Sequence, residues 1–157
     1  MAAKKLGATE KYDEALRLAK EPGYDPDVVL PMLEMAHENG DHRATYALAT
    51  WYFYGHHLDK DIKRAVRMMK VAASANVPDA MYDLAIMYET GEGVGKNRRK
   101  AFLLYAGAAL RGEKQSVYEI SRCLWYGIGT AKDRELSEVW RLRAAELGTD
   151  DSEEVDD

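Results

Sequence analysis

Four histidines, one cysteine and a glycine-rich loop ending in lysine are the residues of this chain whose types could do chemistry. A zinc centre needs three or four converging ligands and a supporting shell. His37 and His42 bracket one turn, His56 and His57 are neighbours in the next loop, and no cysteine accompanies either pair. They are read as loop side chains, with no metal. Thr90-Gly91-Glu92-Gly93-Val94-Gly95-Lys96 has the glycine content of a phosphate-binding loop. That loop requires GxxxxGK followed by Ser or Thr after a strand. Here the first position is Thr90, Asn97 follows Lys96, and the preceding segment has a helical pattern, so the stretch is read as an inter-helix turn. Cys123 stands at an apolar helix position also held by Trp51 and Met87, which predicts a buried thiol rather than a nucleophile. No Ser-His-Asp set and no paired carboxylates recur where they could share a pocket. The expectation is a non-enzyme with no catalytic residue and no cofactor.

The elements that carry these residues repeat. Asp25, Asp61, Asn97 and Asp133 are spaced by 36, and Gly40, Asn76, Gly112 and Gly148 each follow fifteen positions later. A fixed period of this length marks a stacked array of supersecondary units. In the clearest unit Ala80, Leu84, Ala85 and Tyr88 share one helix face. Gly91 and Gly93 stop that helix, Asn97 caps the next, and Ala101, Tyr105, Ala108 and Ala109 form its face up to Gly112. The unit is a helix-turn-helix hairpin with an alanine seam. The preceding unit repeats it through Ala44, Leu48, Ala49, Tyr52, Asp61, Ala65, Met69, Ala72 and Ala73. The following one does so through Ser116, Ile120, Ser121, Leu124, Asp133, Ser137, Ala144 and Ala145. The organisation predicted is a divergent capping repeat over 1–40, repeats over 41–76, 77–112 and 113–148, and a tail over 149–157. In the last unit Glu138 and Arg141 replace the apolar Val66/Phe102 and Met69/Tyr105, while Leu136, Trp140 and Leu147 are expected to face the preceding unit. One polar face is what a terminal repeat needs.

Composition supports this class. The chain carries 22 bases and 27 acids, a net charge of −5. Six of the acids lie in the tail from Thr149, so the body holds 21 acids against 22 bases, a balance of +1. The acidic tail is expected to be disordered, and the balanced body has no basic groove that would seek nucleic acid. One cysteine excludes an intrachain disulfide framework. No apolar run reaches the roughly 20 residues of a membrane span, and a cytoplasmic location is expected. Bases cluster where second helices begin, at Lys60, Lys63 and Arg64, at Lys96, Arg98, Arg99 and Lys100, and at Lys132 and Arg134. Near a helix N-terminus they are mildly unfavourable. The readings are a solvated edge or an edge that meets anions, the tail included.

The series Ala80, Leu84-Ala85, Tyr88, Gly91, Gly93-Val94, Asn97, Lys100-Ala101, Leu104-Tyr105, Ala108-Ala109, Gly112 resembles the Sel1-like repeat, a relative of the tetratricopeptide repeat. Departures are Leu104 and Met68 where the family has the Trp that Trp140 retains, His57 for a loop Gly, and His37 for a seam Ala. The resemblance implies an all-α fold, an α/α right-handed superhelical solenoid whose first helices line a concave face. It also implies the residues of that face: Tyr46, Thr50, Phe53 and Tyr54; Tyr82, Ile86, Glu89 and Thr90; Tyr118, Arg122, Trp125 and Tyr126. Tyr46, Tyr82 and Tyr118 are 36 apart and would form a ladder. Tyr, Trp and Arg dominate binding energy at interfaces, and Arg122 beside Trp125 would suit an acidic group. The implied function is a cytoplasmic adaptor or scaffold that binds a protein or peptide non-covalently, as a monomer or weak homo-oligomer. The alternative is a small inhibitor or immunity-type protein that neutralises a toxin or enzyme.

Overall fold

The structure, a computed structural model, describes residues 7–149 and is all-α over them, so the acidic tail beyond Thr149 lies outside the described residues. Eight helices follow in chain order: α1 (Ala8–Ala19), α2 (Pro26–Glu38), α3 (His42–Tyr54), α4 (Ile62–Ser74), α5 (Pro78–Thr90), α6 (Arg98–Leu110), α7 (Lys114–Tyr126) and α8 (Arg134–Glu146). They fall in two compact units: α1 to α4 in the first, through Val77, and α5 to α8 in the second, from Pro78. The helical-repeat class read from the 36-residue period is the class observed.

Each second helix starts on the residue that the period marks. The side chains of Asp25, Asp61, Asn97 and Asp133 accept a backbone N–H from the first turn of α2, α4, α6 and α8. Such caps satisfy amides that have no intrahelical partner, each worth about 1 kcal/mol. In the last three of these hairpins the capping residue also closes the turn through its own amide. Asp61 N–H donates to Tyr52 O at 2.9 Å, Asn97 N–H to Tyr88 O at 2.7 Å, and Asp133 N–H to Leu124 O at 3.0 Å. The second helices end alike too. Gly40, Asn76, Gly112 and Gly148 have φ of 89°, 62°, 89° and 70°. This left-handed turn lets the next two amides satisfy the last carbonyls, as in Glu113 N–H to Ala108 O at 3.0 Å and Gly112 N–H to Ala109 O at 3.1 Å.

The alanine seam is the core. Ala44, Ala49, Ala65 and Ala72 in the first unit, and Ala80, Ala85, Ala101 and Ala108 in the second, are fully buried. Ala15, Val29, Leu33 and Ala36 bury the α1–α2 hairpin. In the second unit Ile120, Cys123 and Leu124 of α7 join Ala85, Ala101 and Tyr105 in one buried cluster, with Trp140 packed against it. Leu136 departs from expectation. It is 43% exposed and lies with Val139 and Leu142 on the outer stripe of α8, because spacings of three residues keep it on that face. Trp140 alone of the large α8 side chains reaches the cluster.

His57 stands where the later loops have Gly93 and Gly129, and it adopts φ 58°. A residue with Cβ is uncommon there. Its ring is held at Nε2 by the Tyr24 hydroxyl at 3.0 Å and meets the Trp51 ring edge-on at 5.1 Å.

Candidate interaction surface

The first helices carry the residues expected to bind. In the first unit, α3 holds Tyr46, Thr50 and Phe53 half-buried and Tyr54 exposed. The Thr50 hydroxyl donates to the Ala47 carbonyl at 2.7 Å, so it serves its own helix. Phe53 and Tyr54 pack edge-to-face at 5.0 Å, and the Tyr54 ring lies 5.6 Å from that of His56.

In the second unit the expected residues divide into packed and exposed. Tyr82 and Ile86 are half-buried against the α5–α6–α7 cluster, with the Tyr82 ring 5.9 Å from Tyr105. Burial pushes the Tyr82 hydroxyl up to about 12, helped by the charges of Glu119, Glu113 and Asp83. Thr90 donates to the Ile86 carbonyl at 2.9 Å and ends the helix. Tyr118 is half-buried, whereas Trp125 and Tyr126 are 41% and 63% exposed. The guanidinium of Arg134 lies over the Trp125 ring, 4.8 Å from its centroid.

Glu89 and Arg122 do not wait for a ligand. Arg122 Nη2 donates to Glu89 Oε2 at 2.7 Å and its Nε donates to Glu119 Oε2 at 2.7 Å. The Tyr105 hydroxyl donates to the same Glu89 oxygen at 3.0 Å. Burial opposes the charge on Glu89, but the hydrogen bond and charge of Arg122 and the Tyr105 hydroxyl outweigh it and hold the carboxyl below its ordinary range. The bond to Glu89 likewise raises Arg122 further above its ordinary value. Arg122 is thus already bonded within the chain to two carboxylates, with which an acidic ligand would have to compete. Its i,i+3 partner Glu119 is legible from helix spacing alone. Glu89 meets Arg122, and Tyr105 meets Glu89, only through packing.

Beside this network lies an open cavity of about 310 Å³. Its α7 wall is Tyr118, Ser121, Arg122, Trp125 and Tyr126, and its α8 wall is Ser137, Glu138 and Arg141. The floor is sealed: Ser137 Oγ donates to Ser121 O at 2.8 Å and lies 3.3 Å from Ser121 Oγ. Arg141 grips Glu138 with two bonds of 2.6 and 2.8 Å at the rim.

The bases at the starts of the second helices have a structural use. Arg64 lies 4.3 Å from the Tyr52 ring centroid and Lys100 5.3 Å from that of Tyr88, the same pair one period apart. Such contacts contribute about 0.5–1 kcal/mol at exposed sites, which offsets the unfavourable end of the helix dipole. Cys123 is fully buried and its thiol is pushed up to about 12, chiefly by burial, so it is no nucleophile at neutral pH. Among the described residues no three His, Cys, Asp or Glu side chains gather as a metal would require, and no helix is long and apolar enough to cross a membrane.

The Sel1 repeat model matches three times, over residues 42–77, 78–113 and 115–149. A Sel1 repeat protein from Oxalobacter formigenes is similar in structure, with TM-score 0.72 and 34% identity over 76% of this chain and 90% of that one. The protective antigen c5321 of uropathogenic Escherichia coli aligns with TM-score 0.81 and 26% identity. That alignment covers 90% of this chain but 31% of the antigen. The immunity protein Pa5087 of Pseudomonas aeruginosa aligns with TM-score 0.63 and 24% identity, over 90% of this chain and 53% of its own, a likeness of fold. No protein of curated function matches.

Proposed function

The chain belongs to the Sel1 repeat family, and from that premise we propose that it is a non-enzymatic cytoplasmic adaptor that holds a protein or peptide on its first-helix surface. Sel1 repeats form protein-interaction scaffolds. The observation that carries the finer reading is the pair Trp125 and Tyr126, two large rings left exposed at the end of α7. Rings of this kind supply rigid contact area at low entropic cost and are enriched among the residues that anchor interfaces. Tyr54 and Phe53 occupy the corresponding end of α3. Affinity capture followed by mass spectrometry, comparing wild type with Trp125→Ala, tests the reading. A partner should be retained by wild type and lost by the variant. Equal recovery with unchanged melting would sink the assignment.

A second reading is a small inhibitor of the immunity type. Fold likeness to Pa5087 supports it, at an identity that carries architecture and not target. A toxin-like reading frame next to this gene, whose product the protein silences on co-expression, would favour this reading over the adaptor.

A further inference from the structure

The cavity between α7 and α8 has a counterpart one repeat earlier, and that counterpart is full. Subtracting 36 carries Tyr118, Ser121 and Arg122 onto Tyr82, Ala85 and Ile86. The same shift carries Ser137, Glu138 and Arg141 onto Ala101, Phe102 and Tyr105. All six of these earlier residues belong to, or pack against, the cluster into which α7 inserts Ile120, Cys123 and Leu124. Trp125 maps onto Glu89, which bonds to Arg122 of α7. The α5–α6 groove is therefore the seat of a helix, and among the described residues no helix lies on its equivalent, the α7–α8 groove.

We propose that the α7–α8 seat receives an amphipathic helix of a protein partner, lying on α7–α8 as α7 lies on α5–α6. The inference rests on protein binding as the function and adds the form of the partner. Continuity with the α5–α6–α7 packing supplies the helix, since the period repeats the backbone that shapes the groove. The side chains supply the rest. Where the earlier seat is apolar, this one has one wall of rings, Tyr118 and Trp125, and one of ions, Glu138 and Arg141. A wholly apolar seat would invite permanent burial or self-association. The mixed seat stays soluble when empty and still has aromatic area to bury. Its polar groups are already satisfied: the serines bond to each other, Arg122 is held by Glu89 and Glu119, and Arg141 by Glu138. Binding need order none of them, which lowers its entropic cost. The matching helix carries apolar residues three and four apart toward Trp125 and polar ones toward Glu138 and Arg141.

The test uses a stapled 13-residue peptide with the sequence of α5, Pro78–Thr90. It places Leu84, Met87 and Tyr88 where α7 has Ile120, Cys123 and Leu124. It is titrated into the isotope-labelled full chain and followed by NMR. Saturable shifts at the Trp125 indole and at the Ser137, Glu138 and Arg141 amides are expected. Trp125→Ala should weaken them about tenfold, or 1.4 kcal/mol. Arg141→Glu, on the exposed rim, should weaken them, because the peptide carries Asp79, Asp83 and Glu89 and no base. The absence of saturable shifts up to about 1 mM, where a binding energy would fall to roughly 4 kcal/mol, would overturn the seat. So would self-association of the chain through α8, which makes a second copy the occupant. Shifts confined to Tyr54, Tyr82 and Ile86 would also overturn it while leaving the first-helix surface as the binding face.

Discussion

Glu89 and Arg122, one on α5 and the other on α7, are joined by a 2.7 Å ion pair across 33 positions of sequence, and both are mostly shielded from solvent. The pair ties one hairpin of the second unit to the next, with Tyr105 of α6 as a third member. Truncating Glu89 strands the Tyr105 hydroxyl and leaves Arg122 with Glu119 alone. Glu89→Ala should cost about 2 kcal/mol by denaturant unfolding, the scale of a lost charge-assisted hydrogen bond. Tyr105→Phe should cost less, because Arg122 still satisfies the carboxylate.

The same carboxylate sets a pH dependence. Its folded pKa is depressed, so its contribution to stability is present above the ordinary carboxylate range and is lost as pH falls through the folded value. Wild type should lose more stability than Glu89→Gln between neutral pH and the acid limb. Parallel curves for the two proteins would show that the pair does not couple to folding.

Gly129 separates two kinds of glycine constraint. It has φ 68°, and a Cβ there would overlap the carbonyl of Arg98, so the α7–α8 loop rests directly on the start of α6. Gly112 has φ 89° with nothing within 4 Å of its Cβ position. Gly112→Ala should cost about 1–2 kcal/mol, the conformational strain alone. Gly129→Ala adds a backbone displacement of about 1–3 kcal/mol. Equal costs in thermal unfolding would show that the loop can lift away from α6.

Cys123 is fully buried and its thiol is pushed up to about 12. A thiol reagent at pH 8 should label the native chain only as fast as the second unit opens, and the denatured chain at once. Fast native labelling would place the thiol at the surface and break the α5–α6–α7 cluster as described.

Tyr88 carries Lys100 over its ring, and the last hairpin has Leu124 at the same position. Tyr88→Leu should therefore fold normally and lose about 0.5–1 kcal/mol. That loss should shrink in high salt, measured as the change in denaturation midpoint between low and high ionic strength.

The sequence by itself determined the repeat. Caps, left-handed turns and alanine seams are local requirements of the backbone, so Asp61, Asn97, Gly112 and Ala101 announce their roles by type and spacing. Burial of Cys123 followed from the same periodicity. What only the tertiary structure decided is which side chains meet between helices. Arg122 beside Trp125 reads from sequence as suited to an acidic group, and only helix packing reveals that Glu89 already bonds to it. Leu136 reads as core, yet the rotation of α8 leaves it on the outer stripe and sends Trp140 inward. The equivalence of the α7–α8 cavity to the seat of α7 became visible only when the α5–α6–α7 contacts were known. Periodicity assigns a residue to a helix face. A contact needs two faces brought within a few ångströms, and that distance is set by how side chains of both helices pack.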